Sequence, residues 1–409
     1  MEPTVMRKVD YWLGIPLCFA LTIWHKLKRL RRVQGSKGDG RPCNVLFIEL
    51  AEMGSTVVLY PAIQAFKQRY PEANLYFLLF ENIKESLDIT QVIDEQNIIT
   101  IDSASLSSLV RDTIKFMRLS RRVKIDTTIN FEIFARYSTI LSYLSGAKSR
   151  VGFYRYHQEG LYTGDFLTHK VMYNPHMHMS RTFLSLIYAL QASSDHMPLV
   201  KAKINQPCHI PKISSHTKAK ENIWRILKAE NPDINENHKL IVVNPNASKL
   251  ISIRKWPLDY YAKLVDRLIY DEDIYVAIIG VASEKPDADY ICHAVKSERV
   301  LDLTGKTTLK ELVDLFNIGA ILITNDSGPA HFAALTPIHT VVFFGPESPL
   351  IYRPLSDHCT VMYANYACSP CVSVYNQRLS SCNDNLCLQH IGVDDVYDVV
   401  QAILARKTS

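Results

Sequence analysis

The stretch AILITNDSGPAHFAALTPIHTVVFFGP, from Ala320 to Pro346, decides the fold. Its two ends, 320–324 and 339–344, are short apolar runs rich in β-branched residues, which is typical of buried parallel strands. The residues between them predict a helix, because Ser327 can cap it and Pro329 suits the first helical position. A strand, a polar turn and a helix start at the carboxyl edge of a sheet form a suitable anion site. The open alternative is a well-capped turn without a ligand.

The rest of the chain repeats this alternation in two series. The first series predicts strands at 44–50, 74–80, 97–101 and 126–131, with helices at 56–70, 106–121 and 134–145. The second predicts strands at 239–244, 274–280, 300–303, 320–324 and 339–344, with helices at 258–270, 284–295, 308–317 and 394–405. This pattern predicts two facing, doubly wound α/β domains with a cleft between their sheet edges.

The predicted limits follow from composition. Residues 1–35 form a basic and aromatic segment, 36–43 a Gly-rich linker, 44–205 the first α/β domain and 206–409 the second. The Pro-containing stretch 198–216 reads as the connection between the two domains.

The N-terminal segment predicts contact with a membrane surface. Residues 1–41 hold nine Lys and Arg against three acidic residues, whereas the whole chain carries +5, so the body is nearly neutral. This argues against nucleic-acid binding. The apolar run 11–24 is too short to span a bilayer, so we expect residues 11–32 to lie in the interface with their basic cluster on anionic lipid. A packed N-terminal helix is the alternative.

The cysteines favour a reducing compartment. Their number, nine, is odd, and no secretory signal is evident, so the cytoplasm is the expected location. Four of them form a cluster, Cys368, Cys371, Cys382 and Cys387. Structural Zn²⁺, a redox-labile disulfide and four buried thiols are all open interpretations.

Six ordered motifs carry a family resemblance. They are FIELAEMGSTVVLYPAIQAFKQRYPEANL, SGAKSRVGF, NPNASKLISIRKWP, GKTTLKEL, NDSGPAHFAAL and FFGPESP, within residues 44–405. In this order and spacing they resemble glycosyltransferase family 9, the heptosyltransferases of the lipopolysaccharide core. The resemblance implies a glycosyltransferase-B fold, an ADP-heptose donor, inversion at the sugar carbon and a lipid-linked saccharide acceptor.

The resemblance also implies a donor site in the second domain. Asp326, Ser327, Gly328 and His331 match the family's diphosphate-binding turn, and Lys255 matches a lysine on the donor phosphates, where it would offset leaving-group charge. Glu284 matches a nucleoside-binding acid, and Asn246 and Ser248 lie in the turn before it. Asp326 is assigned a structural role. No cofactor is required, although a loosely bound Mg²⁺ is one way to offset the Asp326 carboxylate beside a diphosphate.

The first turn departs from the family pattern. The family's Gly-Asp step, whose Asp is the general base, is Gly54-Ser55 here. A serine hydroxyl does not take up that proton at neutral pH, so we expect Glu52, in the same turn, to be the base. The alternative is that Glu52 faces solvent or caps the next helix.

These observations favour an inverting heptosyltransferase at the inner face of the cytoplasmic membrane. The alternatives are a transferase for another nucleotide sugar and a catalytically silent, nucleotide-binding relative acting in a membrane complex. Ser55 supports the silent relative. Lys255, Glu284 and the NDSGPAH turn favour a working donor site.

Overall fold

The computed structural model describes residues 1, 3–31, 41–157, 159–192, 197–205, 208–247 and 249–407. The chain divides into two compact units, residues 1–208 and 209–409. The finer limits given above stay predictions.

The first unit contains a parallel sheet of six strands in the spatial order β3-β2-β1-β4-β5-β6. Its strands are β1 (Asn44–Ile48), β2 (Asn74–Phe80), β3 (Ile98–Ile101), β4 (Thr127–Asn130), β5 (Ser149–Phe153) and β6 (His169–Val171). The four predicted strands are confirmed, and β5 and β6 were not predicted. Strand β1 lies between β2 and β4, so the strand order reverses at β1. Ligands of open α/β sheets bind at such a point.

The helices of the first unit are α1 (Pro3–Trp12), α2 (Gly14–Arg31), α3 (Met53–Val58), α4 (Tyr60–Arg69), α5 (Lys84–Asp88), α6 (Leu106–Arg122), α7 (Arg136–Leu144) and α8 (Met179–Ala189). The single helix predicted over 56–70 is wrong, because α3 and α4 break at Leu59. Pro61 has no amide to donate to Val57, and its ring crowds that carbonyl, so the helix is interrupted at Leu59, whose backbone stays in the helical region.

The N-terminal helices pack on the first unit. The Arg136 guanidinium and the Asp10 carboxylate form an ion pair of 2.9 Å, and Cys18 is buried against Ile140 and Phe166. Pro16 lies in the first turn of α2, where no amide donor is needed. The packed N-terminal helix, the alternative given above, is therefore what the structure shows. Among the described helices, none has the length and apolar character needed to cross a membrane.

The second unit also contains a parallel sheet of six strands, in the order β12-β11-β10-β7-β8-β9. Its strands are β7 (Lys239–Asn244), β8 (Ile274–Ile278), β9 (Val300–Asp302), β10 (Ile321–Asn325), β11 (His339–Phe344) and β12 (Cys359–Tyr363). All five predicted strands are confirmed, and β12 was not predicted. Here β7 lies between β10 and β8, which places the reversal of strand order next to the NDSGPAH turn.

The helices of the second unit are α9 (Thr217–Glu230), α10 (Leu258–Leu268), α11 (Lys285–Val295), α12 (Leu309–Ile318), α13 (Gly328–Ala333), α14 (Pro349–Tyr352), α15 (Leu386–Gln389) and α16 (Val393–Lys407). Short 3₁₀ turns cover Lys249–Arg254 and Ala282–Glu284. The core under α10 and α16 holds Trp256, which stacks on Phe343 with ring centroids 4.6 Å apart. Trp256 therefore fixes the chain directly after the 249–254 turn to the sheet.

Candidate functional site

The candidate site of the first unit is the turn that follows β1. Glu132, two residues past β4, accepts hydrogen bonds from the amides of Leu50 (2.7 Å) and Ala51 (3.1 Å). Because β1 and β4 are neighbours, their carboxyl ends meet and Glu132 reaches this turn. The sequence analysis missed Glu132. The sequence shows Glu132 as a carboxylate that follows a buried strand. It does not show that this strand, β4, lies next to β1.

Glu52 occupies the N-cap position of α3 and is half-buried. The Ser55 hydroxyl donates a hydrogen bond to its Oε2, at 3.1 Å. Within the described residues, the Glu52 side chain makes no capping hydrogen bond to the helix backbone, although capping was one alternative for it. Glu49 is only 3% exposed, so Glu52 is the more accessible carboxylate of the turn. Gly54 and Ser55 follow Glu52 in the first turn of α3.

The candidate site of the second unit lies where β7 and β10 end side by side. Asn325 is fully buried and connects three segments: its Oδ1 accepts from the Trp256 amide at 2.8 Å, and its Nδ2 donates to the carbonyls of Pro245 (3.0 Å) and Asn246 (3.2 Å). Asn244 donates to the hydroxyls of Thr324 and Ser327, both at 3.1 Å. These side chains hold the turns after both strands in one arrangement before any ligand binds.

Ser327 does not cap α13 through its side chain, which corrects the prediction. It has an extended backbone at the N-cap position, but its hydroxyl bonds to Asn244 and Thr324 instead of a helix amide. The next residue, Gly328, is the first of α13, and a Cβ placed on it would meet no atom of the described structure within 4 Å. The start of the helix therefore has open space beside its backbone. His331 follows one turn further along α13.

Asp326 pairs with a residue that the sequence analysis did not select. The Arg254 Nη1 lies 3.1 Å from the Asp326 Oδ2, and the two side chains are only 13% and 8% exposed. This pair supports the structural role predicted for Asp326. The cation beside the Asp326 carboxylate is therefore the Arg254 guanidinium.

Lys255 lies in the same segment and is half-buried. Its Nζ is 2.7 Å from the Asp287 Oδ2 and 3.5 Å from the Asn246 Oδ1. Lys255 is thus a salt-bridged lysine, and its contact with Asn246 places it at the turn after β7. The structure thus brings the two predicted residues Lys255 and Asn246 together.

Glu284 lies across Gly280 from Asn246. A Cβ on Gly280 would come within 2.9 Å of the Glu284 Oε2 and 3.0 Å of the Asn246 Nδ2, so a glycine is needed where these side chains approach. Glu284 Oε2 also accepts a hydrogen bond from the Val281 amide at 2.9 Å. Asn246 is buried, and its Nδ2 has no hydrogen-bond partner among the described residues. Ser248 lies outside the described residues, and its predicted contact stays a prediction.

The chemistry of this site in the second unit suits a phosphorylated nucleotide. Two cationic side chains, buried amide donors and an open helix start lie at one sheet edge, where phosphates bind. No cluster of three or more metal-ligating side chains is arranged to hold an ion in the described ranges. Mg²⁺ at Asp326 therefore stays a prediction.

A comparison with protein-family models matches residues 119–380 to glycosyltransferase family 9 (heptosyltransferase). The chain belongs to this family. The matched range contains the Asp326 turn, Lys255 and Glu284, but not the Glu52 turn or Cys387.

Curated heptosyltransferases share parts of this chain. Lipooligosaccharide heptosyltransferase 2 of Haemophilus influenzae is 38% identical over 112 residues, which cover 27% of this chain and 32% of that protein. Lipooligosaccharide heptosyltransferase 2 of Campylobacter jejuni is 30% identical over 182 residues, covering 44% of this chain and 55% of that protein. The chain thus spans about a third of the length of the first relative and just over half of the second.

A solved structure extends the likeness to nearly the whole fold. ADP-heptose lps heptosyltransferase II of E. coli superposes with a TM-score of 0.70 at 19% identity, covering 90% of this chain and all of that one. Together with the two parallel six-stranded sheets, this similarity confirms the predicted glycosyltransferase-B fold class.

The four clustered cysteines of this family 9 chain are free thiols. Cys368 is exposed, Cys371 and Cys382 are half-buried with Ser380 Oγ (3.4 Å) and the Asp384 carbonyl (3.1 Å) as partners, and Cys387 is buried. Burial raises the pKa of the Cys387 thiol to about 11, and the neighbouring thiols, Cys371 first, add to the rise. The thiols lie near one another, yet in the described chain they do not form an ion-holding group. Zinc stays a prediction, which metal analysis of reduced protein tests.

The segment that carries the cysteines also holds the donor-side residues in place. The side-chain amide of Asn385 donates hydrogen bonds to the carbonyls of Ile253 (2.9 Å) and Lys255 (2.8 Å), which lie on either side of Arg254. The Trp256 indole donates to the Ile391 carbonyl at 3.0 Å. These partners are 130 or more residues apart in the chain, so the sequence analysis could not find them.

Proposed function

We propose that this chain is an inverting heptosyltransferase that transfers a heptose from ADP-heptose to a hydroxyl of a lipopolysaccharide-type acceptor. The observation that carries the proposal is the organised turn after β10, with Asp326, Ser327 and Gly328 next to Lys255 and Asn246. Membership of family 9 and the names of its relatives supply the sugar and the acceptor class.

On the donor side, the surroundings of each residue support a specific role. The open backbone at Gly328 and the side chains of Ser327 and His331 hold the diphosphate. Lys255, half-buried beside Asn246, offsets the charge that grows on the leaving ADP as the glycosidic bond breaks. Glu284, across Gly280 from Asn246, holds the ribose hydroxyls, as carboxylates do in other nucleotide sites.

On the acceptor side, Glu52 takes the proton from the attacking hydroxyl. It is the accessible carboxylate of the turn after β1, and Ser55 holds one of its oxygens. A base in hydrogen-bond reach of the acceptor accelerates transfer by about 10²- to 10⁴-fold. The step forms the bond from the acceptor oxygen to the sugar carbon and breaks the bond to ADP, with inversion.

A catalytically silent relative is the second candidate, because Ser55 replaces the family's aspartate. Only the working enzyme has a physical need of an organised phosphate site. Polar residues fixed around Asn325 favour a working site, since buried hydrogen-bonded networks at an open turn are preorganised for a ligand.

Thermal stabilisation by ADP, UDP, GDP and CMP, each at the same concentration, tests the proposal. A ligand at 100 times its dissociation constant adds about 2.7 kcal/mol to the free energy of unfolding. Selective stabilisation by ADP is expected. Stabilisation by UDP or GDP instead overturns the heptose donor, and no response to any nucleotide favours the silent relative.

The first unit's N-terminal helices also support a location at the inner face of the cytoplasmic membrane. One side of α1 and α2 packs on the unit, while the other exposes large apolar side chains: Tyr11, Trp12, Leu13, Leu17, Phe19, Ile23, Trp24, Leu27 and Leu30. Trp12 is 71% exposed and Phe19 60%. Lys26, Lys28 and Arg29 follow on α2, with the Lys28 Nζ 5.1 Å from the centre of the Trp24 ring. Aromatic and basic side chains together match an anionic lipid surface.

Flotation with lipid vesicles tests this location. Deleting residues 1–35 would uncover Ile140 and Phe166 and remove the ion pair of Arg136, so substitutions on the exposed side are the better test. The triple variant Trp12→Ser, Phe19→Ser, Trp24→Ser is expected to lose binding to anionic vesicles and keep ADP binding. The control is Val110→Ser with Ile114→Ser, which removes exposed apolar side chains from α6. Equal flotation of both variants would contradict membrane contact through α1 and α2.

A further inference from the structure

Asp10 of α1 lies against the start of α7. Its Oδ1 accepts a hydrogen bond from the Tyr137 amide at 3.0 Å, and its Oδ2 accepts one from the Arg136 Nη1 at 2.9 Å. Tyr137 is the second residue of α7, where backbone amides have no partner inside the helix and attract anions. The amide and the guanidinium together bind one anion, and here the chain supplies its own carboxylate.

Arg136 has more donors than Asp10 uses. Its side chain is 5% exposed, and its Nε is buried with no hydrogen-bond partner among the described residues. A buried donor without an acceptor is costly, so an acidic group that also reaches Nε would fit this site better than Asp10 does. The Tyr11 ring centre is 5.9 Å from the guanidinium carbon, and a Cβ on Gly14 would come within 2.9 Å of the Arg136 Cδ. Residues 10–14 therefore cover this guanidinium.

The start of α7 lies at the sheet edge that carries Glu52. Asn130, the last residue of β4, is 2% exposed, and its Nδ2 donates a hydrogen bond to the Ser138 Oγ at 3.0 Å. Glu132, between β4 and α7, binds the backbone of the turn that holds Glu52. An anion bound at Arg136 would therefore lie on the acceptor side, at the carboxyl edge of the first unit's sheet.

Of the two N-terminal helices, α1 is the less firmly packed. None of its side chains at 5–12 is fully buried, whereas Cys18 of α2 is. Asp10 is followed directly by Tyr11 and Trp12, which are 51% and 71% exposed and belong to the proposed lipid-contacting side. Because these residues share one short helix, insertion of the two rings into a lipid surface would move Asp10 with them.

We infer that the start of α7 binds an acidic group of the acceptor, a phosphate or a carboxylate, and that Asp10 occupies this site until a lipid surface draws α1 away. The inference rests on the proposed function and deepens it, because it names an acceptor-binding site and makes its opening depend on the membrane. The free protein keeps the site closed and opens it where a lipid-linked acceptor is found.

Hydrogen exchange of the Tyr137 amide tests the displacement without any transfer reaction. Anionic vesicles are expected to speed its exchange about tenfold or more, because the amide loses Asp10, and neutral vesicles should leave it unchanged. The Ser145 amide, which donates to the Leu141 carbonyl at the other end of α7, is the control. Equal changes at both amides, or no change at Tyr137, would overturn the inference.

Kinetics with a de-acylated acceptor, which is soluble without vesicles, test the anion site. Asp10→Asn keeps the shape of the side chain and removes its charge, so the KM for this acceptor should fall about tenfold while kcat and ADP affinity stay unchanged. Adding Arg136→Met to Asp10→Asn should raise that KM about tenfold or more, because a charge-assisted hydrogen bond to the acceptor is lost. Arg136→Lys keeps the charge without the planar fork and should give an intermediate KM, and it carries the test if Arg136→Met does not fold.

The matched control is Asp165→Asn, which removes another carboxylate that pairs with an N-terminal helix, through Lys26 at 3.4 Å. It should keep the wild-type KM. A wild-type KM in Asp10→Asn, or no rise in KM in the Arg136 variants, would overturn the inference and leave the proposed function standing. Slower transfer to the soluble acceptor in the presence of anionic vesicles would place a lipid headgroup in the site and would also overturn it. A wild type that transfers no heptose with or without vesicles overturns the proposed function, and the acceptor assignment with it.

Discussion

The Ser55 hydroxyl donates a hydrogen bond to the Glu52 carboxylate, with 3.1 Å between the two oxygens. These residues are three apart, at the N-cap and in the first turn of α3, where side chains at such spacing meet. The residue that replaces the family's aspartate thus contacts the nearest available carboxylate. We interpret Glu52 as the general base, three residues before the position of the family's aspartate, and Ser55 as the residue that positions it.

Replacing Glu52 with glutamine keeps the shape of the side chain and removes its ability to accept a proton. We expect kcat to fall by about 10²- to 10⁴-fold while ADP affinity stays unchanged. Glu72→Gln, an exposed acid of the same unit, is the control. Wild-type turnover by Glu52→Gln, measured as ADP release, would exclude Glu52 as the base.

Returning the carboxylate to the family position should restore activity. The double variant Glu52→Gln, Ser55→Asp is expected to turn over at least about tenfold faster than Glu52→Gln alone, since a base again lies in the same turn. Glu52→Gln, Ser55→Asn has the same shape without the charge and should not recover. If the two double variants have equal kcat, the turn does not supply the base.

Gly328→Ala separates folding from donor binding. The added methyl meets no described atom within 4 Å and the backbone there is not left-handed, so the free energy of unfolding should stay the same or rise by up to about 1 kcal/mol. ADP affinity should fall roughly tenfold or more, because the methyl fills the space where the phosphate approaches the backbone. Calorimetry and thermal unfolding of the same sample check both halves, and unchanged ADP affinity would place the phosphate elsewhere.

Local patterns predicted most of the strands correctly. Apolar runs such as 239–244 and 339–344 coincide with β7 and β11, because strands buried on both faces show in composition alone. Strands β5, β6 and β12 were missed: β5 is SRVGF and has no continuous apolar run, β6 has only three residues, and β12 is half-buried along its whole length. Pro61 was visible in the sequence, but its effect on the helix over 56–70 was overlooked.

The site was predictable only in part. Asp326, Gly328 and Lys255 lie in the quoted motifs, and so do Arg254 and Asn325. The contacts of Arg254, Asn325 and Asn385, however, are with partners about 70 to 130 residues away, which the motifs do not show. The side chain of Ser327 could cap a helix or bond to Asn244, and only the tertiary structure decides between these. The N-terminal helices show the same limit. Their apolar residues include side chains that pack on the unit and side chains that are exposed, and the sequence does not distinguish the two groups.

His169 contributes to the pH dependence of stability in the first unit, as does His25, whose pKa burial also lowers. Burial first, and then the charge of Arg150, lower the pKa of His169 below its usual 6.5. The unfolded chain therefore binds more protons, so this stability is fully present above pH 6.5 and is lost as the pH falls through the lowered value. We expect the protection of the β5 and β6 amides against hydrogen exchange to fall in this range and to fall less in His169→Gln. A pH dependence unchanged by this substitution, with His176→Gln as control, would contradict the assignment.

The most direct test of the central claim is transfer itself. Purified protein is incubated with ADP-heptose and a lipopolysaccharide core acceptor that lacks its outer sugars, and ADP release and the acceptor mass are followed together. We predict acceptor-dependent ADP release, the gain of one heptose residue and an inverted anomeric configuration by NMR. Transfer from a different nucleotide sugar only, or release of ADP that does not depend on the acceptor, would contradict the account.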